Sequence, residues 1–327
     1  MRYHSRSLIS TLLLAGLLAG SHTARAVDER WSVSFLLGGV APNLEQLDSG
    51  LYKSPFTGTA NVFVSEGGTT SGNISGAGQN QTDTIPFRYE ADLPPANYGT
   101  VGGVEFAWHP NERHAFMFGF TSMESSSTTN SVGNIPLQQY FVSNVVGAER
   151  RAKISYTAYS LGWQYNFFRR PRFQLYTLLS LQEVFDIDYR DDWSFVFTES
   201  PIPDLIGVRR DMVATAQTSS LFMGQIGAGA EWFLQDWLSI GLEGGYLIGQ
   251  SNFSLGDVQL RDDFQAGDGI TRTGVPFRKM ADGTLGYLLN SATPDDLEDP
   301  ATRENFYRSI RLRFDGWRAL LRFTVYF

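Results

Sequence analysis

The 327-residue chain contains no cysteine. Disulfide bonds, thiol catalysis and cysteine-ligated metal are therefore excluded. Basic residues are also scarce, 26 Lys and Arg against 34 Asp and Glu, which makes nucleic acid an unsuitable partner. Beyond the N-terminus there is no apolar run near the roughly 20 residues that a membrane-crossing helix needs. The N-terminus itself carries Arg2 and Arg6, an apolar run from Leu8 to Ala19, and Ala24-Arg25-Ala26. This pattern reads as a secretory signal peptide over residues 1–26, followed by one domain over 27–327. Without Arg2, Arg6 and Arg25 the mature chain keeps 23 basic against 34 acidic residues, a net charge of −11.

What is abundant is aromatic residues, at 14%, and glycine, at 33. Such a chain suits short strands and bends better than a helical bundle. The closing stretch WRALLRFTVYF shows the pattern that recurs. In steps of two, Trp317, Ala319, Leu321, Phe323, Val325 and Phe327 are apolar, while Arg318 and Arg322 fall between them. A period of two is a strand with unlike faces. Eight such segments are read at residues 30–40, 98–109, 114–122, 152–168, 173–189, 218–234, 237–250 and 313–327. The links PNER, RRPR and QD are tight polar turns, whereas about 41–97, 123–151, 190–217 and 251–312 are long connections.

Alternating short and long connections segregate to opposite ends of an up-and-down sheet. The expected fold is all-β: an eight-stranded antiparallel up-and-down transmembrane β-barrel with short periplasmic turns and long extracellular loops. A soluble up-and-down barrel has no reason to sort its connections this way. The faces agree. In the fourth segment Thr157, Tyr159, Leu161, Trp163, Tyr165 and Phe167 oppose Tyr156, Ser160, Gly162, Gln164 and Asn166. In the seventh, Leu238, Ile240, Leu242, Tyr246 and Ile248 oppose Ser239, Gly241, Glu243 and Gly245. Glycines and scattered charges cannot fill a soluble core, so the bulky face belongs in lipid and the small face lines a narrow interior. The fifth segment, FQLYTLLSLQEVF, is apolar on both faces, and the sequence leaves its orientation open.

Trp108, Phe167, Phe168, Trp232, Phe233, Trp237 and Phe327 cluster at the short-turn end and read as a periplasmic aromatic belt. With the leader, the eight alternating segments and the terminal Phe323-Val325-Phe327 pattern, the chain resembles the eight-stranded outer-membrane proteins of the OmpA, opacity-protein and OmpW type. The resemblance implies a Gram-negative outer-membrane location, lipid and lipopolysaccharide as surroundings, and recognition of Phe323, Val325 and Phe327 by the outer-membrane assembly machinery. It implies no molecular activity. No periplasmic peptidoglycan-binding domain is expected, since the chain stops at the last strand.

Glu105, Glu231, Glu243, Arg318 and Arg322 are assigned to the interior, where opposite charges must pair once desolvated. They are expected to form a carboxylate and guanidinium network that plugs the lumen, or, alternatively, lines a narrow channel. Lipid A acyltransferases and deacylases on small barrels use histidine with serine and a carboxylate. Here His109 and His114, the histidines of the mature chain, flank the short PNER turn, at the wrong end for such chemistry. No catalytic group, metal or cofactor is assigned.

Asp262, Asp263 and Asp268 loosely resemble calcium ligands, without the EF-hand spacing, and read as solvated acidic loop. Asp299-Pro300 predicts an N-cap and first turn of a short helix to Arg308. The Gly- and Ser-rich stretch around Asn73 reads as mobile, and its glycosylation-like NIS carries no weight. ANVFVSEG can pair with IPFRYEAD as a hairpin above the membrane, which leaves ten strands as the alternative to eight. The expected function is non-enzymatic: a barrel presenting large loops for envelope structure, adhesion or binding of an extracellular ligand. A porin-like channel for small or hydrophobic solutes is the alternative.

Overall fold

The computed structural model describes residues 30–64, 81–137, 142–199, 206–207, 209–218, 220–249, 253–264, 270–293, 295–297 and 299–327. The leader and its cleavage point, Asn73 and Asp268 lie outside the described residues. Eight antiparallel strands form the frame: β1 (Trp31–Pro42), β2 (Gly99–Asn111), β3 (His114–Leu137), β4 (Val142–Arg170), β5 (Phe173–Glu199), β6 (Leu221–Gln235), β7 (Leu238–Gly249) and β8 (Gly316–Tyr326). Each pairs with its chain neighbour, and β1 pairs with β8, so the sheet closes into a ring of eight. Closure satisfies the backbone groups that an open edge would leave bare. Among the described residues no helix is long and apolar enough to cross a membrane, which says nothing of strands.

The hairpin foreseen above the ring is present: Ala60 opposes Ile85 and Val62 opposes Asp83. It joins residues 270–274 in a separate three-stranded sheet and does not enter the ring, so the ring count is eight rather than ten.

Three strands run far longer than their apolar alternation predicts. β3, β4 and β5 have 24, 29 and 27 residues. The expected loop at 123–151 is mostly the continuation of β3 and β4, in register from Met123 opposite Tyr156 to Leu137 opposite Val142. Upper β5 is continued sideways by Arg209–Thr218 and then Gly256–Phe264, giving a five-stranded wall above the ring. These segments read as loops because their outer faces are Ser, Thr and charged residues. Their inner faces carry a period of two that only a partner could make meaningful: Met123, Ser125 and Ser127 on β3, then Trp193, Phe195 and Phe197 on β5, are all buried.

The orientation of β5 has a local explanation. Inward positions are even from Gln174 to Val184 and odd from Ile187 to Phe197. The phase changes at Asp186, which has φ 51, where the register with β4 slips between Ser155 and Thr157. A bulge of this kind inserts one residue and swaps the faces beyond it. No single alternation could have described the whole strand.

The first and fourth connections pack against the inner face of the wall. Leu47, Leu51, Tyr52 and Phe56 from the first share one core with Leu255, Leu285, Ile310 and Leu312 from the fourth and with Ile154, Trp193 and Ala214 of the wall, each at most 1% exposed. The predicted helix at Pro300 exists but is shorter, Pro300–Arg303 followed by a 3-10 turn to Phe306. Its cap is as expected, Asp299 accepting from the Ala301 amide at 2.8 Å. The chain leaves the helix because Tyr307–Ser309 pairs with Leu285–Leu288.

Candidate functional site

Two polar centres are buried in this architecture, one inside the ring and one in the cap above it. Inside the ring, Arg322 of β8 reaches Glu243 of β7 at 2.6 Å and also pairs with Glu105 of β2. Arg318 lies 3.4 Å from Glu243. Gln225 donates to Glu243 at 3.2 Å, and Arg322 donates to Ser34 at 3.3 Å. Tyr176 of β5 completes the cluster, its ring 5.7 Å from the Arg322 guanidinium. Room for that ring comes from Gly229, where a Cβ would fall 2.2 Å from the Tyr176 Cζ. Two carboxylates and two guanidinium groups balance, so the charges are paired where they are largely withdrawn from water, Arg322 being 6% exposed.

Glu231 stands apart from this set. Instead of an arginine it accepts from Ser239, from Gln174 and from the Tyr326 hydroxyl at 2.7 Å. The expected five-member network is thus four charged residues, with Glu231 in a neighbouring neutral-donor cluster. Tyr176, Gln225, Gln174 and Tyr326 were not legible as members, since which inward residues meet depends on strand stagger around the ring. Towards the long-connection ends, Val101, Met123, Val184, Met223 and Leu247 point inward and merge with the core of the cap. The interior therefore holds the charged cluster together with this apolar layer, and a smaller buried apolar cluster of Ala107, Ala115, Met117, Tyr176 and Leu178 lies near the short turns.

The outer face carries Leu37, Leu161, Leu242 and Trp317 at 62 to 68% exposure. Phe323 and Phe327 are exposed on the outer face of β8, with Val325 between them on the same face. Trp108, Phe167, Trp232 and Trp237 face outward at the short-turn end. Phe233 does not: it is 8% exposed and points inward, its ring 5.5 Å from Tyr326. A second outward group, Trp317 with Tyr246 at 5.2 Å and Tyr159 with Phe185 at 4.7 Å, lies near the other end of the ring.

His109 and His114 sit on either side of the Glu112–Arg113 turn and serve different faces. His109 Nε2 meets Ser32 Oγ at 2.9 Å, whereas His114 accepts from Trp163 Nε1 at 3.1 Å.

The second centre was missed because Arg150 and Asp191 fell in segments read as loops. Both are fully buried. Arg150 meets Asp191 through Nε at 3.1 Å and Nη2 at 2.7 Å. Its other donors go to backbone carbonyls of the first connection: Leu51 at 2.8 Å, Ala91 at 3.3 Å and Tyr52 at 3.4 Å. All five guanidinium N–H groups are thereby used. The Trp193 ring lies 4.7 Å from the guanidinium, and Tyr189 donates to Asp191 at 3.1 Å. A planar fork that binds a carboxylate on one side and loop carbonyls on the other ties the first connection to the wall.

Asp262, one of the residues compared with calcium ligands, is held by Arg210 through two contacts at 3.1 Å. That makes it part of the strand-to-strand pairing of the wall rather than a solvated loop residue. The side chain of Asp263 lies outside the described residues.

Burial of tyrosines in the cap has a consequence for pH. Desolvation is the leading cause that raises the Tyr52 and Tyr189 hydroxyls above the ordinary range, with the Asp191 charge adding to it, and it raises Tyr307 to about 12. A folded-state value above the unfolded one gives stability that is complete below pH ~10 and is lost as pH rises through the folded value. The cap is expected to open between about pH 10 and 12. Tyrosinate absorbance should rise there together with new protease cleavage in residues 43–56. Full ionisation near pH 10 with the cap intact would contradict it.

No family model matches the sequence, and no curated protein matches it. Among solved structures the chain is similar to the outer membrane protease OmpT from Escherichia coli at 12% identity and TM-score 0.34, covering 94% of this chain and 99% of that one. It is similar to the CymD monoaromatic hydrocarbon channel at 8% identity and TM-score 0.29, covering 91% and 89%. For the translocator domain of autotransporter NalP from Neisseria meningitidis the values are 9% and 0.20, covering 98% and 94%.

Proposed function

We propose that the chain is a non-enzymatic outer-membrane β-barrel that holds a folded extracellular module at the cell surface. The observation that carries this reading is a ring that is apolar outside and filled inside. Large apolar side chains on the outer face favour hydrocarbon, and every backbone group of a closed ring is paired, as a bilayer demands. From Trp317 to Phe327 the stretch runs eleven residues between outward aromatic groups, within the 9–11 that a tilted strand uses to span a bilayer. The short-turn end then faces the periplasm and the cap faces the medium. Phe323, Val325 and Phe327 are the segment offered to the assembly machinery, and outer-leaflet lipid and lipopolysaccharide surround the outward face. The Arg318, Arg322, Glu105 and Glu243 cluster acts as a structural plug rather than a selectivity filter.

Planar-bilayer recording tests the plug against the channel reading. Wild-type protein should pass no ion current. The variant carrying Arg318→Ala and Arg322→Ala should stay silent as well, because the apolar layer above the charges remains. Steady conductance in the wild type would favour a channel, and its appearance in the variant alone would favour a pore that the charged cluster plugs.

A further inference from the structure

The cap contains a cavity of about 350 Å³ between the wall and the small sheet of the fourth connection. Its apolar lining comes from Met212, Leu260, Val275 and Phe277, with the Tyr307 ring beside them, and its polar lining is Arg261, Arg278, Arg303 and Asp262, whose carboxylate is held by Arg210. Met212, Phe277 and Tyr307 are no more than 3% exposed, so the floor is fixed, while Leu260 at 43% leaves one side open. Two contacts hold the guanidinium groups in place. Arg303 donates Nε to the Leu297 carbonyl at 2.7 Å, and Arg278 meets Glu304 at 2.5 Å with its guanidinium 5.5 Å from the Tyr307 ring. Among the described residues the terminal amino groups of Arg303 donate to nothing further.

We infer that this cavity binds a small amphiphilic anion, an oxyacid headgroup of carboxylate or phosphate type on an apolar body. An arginine fork matches the paired oxygens of such a headgroup, and the buried floor offers apolar contact to the rest of the ligand. The volume lies at the low end for small-molecule sites, which limits the ligand to a compact one. Its position argues for a solute rather than a membrane lipid. Met212 pairs with Trp193, nine residues along β5 beyond Val184, which still pairs within the ring; at about 3.3 Å per residue this is roughly 30 Å along the strand, or a height of roughly 20–25 Å for a strand tilted by about 40°. That solutes of the medium reach the cavity rests on the surface reading above, but binding itself does not.

Isothermal titration of the full-length protein in a nonionic detergent, with phenyl phosphate as probe, tests the site. One equivalent should bind, more tightly than either inorganic phosphate or phenol. Arg303→Gln should weaken binding about tenfold or more, the effect of losing one charge-assisted contact. Leu260→Trp keeps both guanidinium groups while filling the space, and should abolish binding. Arg190→Gln, which changes an exposed ion pair elsewhere on the wall, should leave it unchanged. No binding by wild-type protein, undiminished binding by Leu260→Trp, or equal affinity for inorganic phosphate would overturn the inference. The bilayer result would stand in each of those cases, so the two readings fail separately.

Discussion

Arg322→Ala is expected to destabilise the ring by about 3–5 kcal/mol, the cost of leaving buried carboxylates without their cation. Arg322 serves Glu243 and Glu105 together, and Arg318 at 3.4 Å is too distant to replace it at both. The measurement is a urea or guanidinium unfolding midpoint in liposomes. A quadruple variant, Arg318→Met and Arg322→Met with Glu105→Gln and Glu243→Gln, removes all four charges of the cluster together. It should recover more than half of the loss, since an uncharged interior of similar volume needs no pairing. Arg318→Ala alone should cost less, because Glu243 keeps its shorter contact with Arg322. If Arg322→Ala changes the midpoint no more than an exposed arginine variant does, the interior is hydrated and the plug does not exist.

The second large effect concerns the cap. Arg150→Ala strands Asp191, which is fully buried, and removes the donors to Leu51, Tyr52 and Ala91. A loss of about 3–5 kcal/mol is expected, confined to the module above the ring. Sequence alone predicts that residues 41–97 and 251–312 are the first to be cut when whole cells are treated with protease. Their packing into one core reverses that for the segments 43–56 and 277–312, which should resist in the wild type and be released in Arg150→Ala. Far-UV dichroism and the unheated electrophoretic mobility of the ring should stay unchanged. Arg150→Lys should rescue little, because a single ammonium cannot serve a carboxylate and three carbonyls at once. Equal protease resistance in wild type and Arg150→Ala would show that the first connection is held by its apolar contacts alone.

The ring was legible in the residues because a strand bounded by two unlike environments writes its faces into a period of two. β7 shows it directly, Ile240 and Leu242 outward and Ser239, Gly241 and Glu243 inward. β5 defeated the same reading because its inward row below the bulge carries Tyr176, Leu178 and Val184, which makes both faces of residues 173–185 apolar; the bulge at Asp186 exchanges the faces only beyond that stretch. The charged interior was legible in part. Glu105, Glu243, Arg318 and Arg322 stood out as ions on a small-residue face. That Glu231 would sit with hydroxyl and amide donors instead depends on which strands are neighbours and how they are staggered.

The local pattern announced only two pieces of the cap, the hairpin and the helix start at Asp299. Ser125, Ser127 and Arg150 look like loop residues until Tyr98, Pro94 and Leu51 are seen to receive their hydrogen bonds. The sequence by itself determined where the tight turns of the ring fall and which row of most of its strands is greasy, because alternation is a local property of about ten residues; the choice between eight strands and ten, and the faces of β5, were left to the tertiary structure. Only the tertiary structure decided that the long connections fold into a common core, that Arg150 clamps one of them to the wall, and that a cavity lined by Arg278 and Arg303 lies beneath the other. Those features join residues up to hundreds of positions apart, and their burial becomes favourable only when all the partners are present.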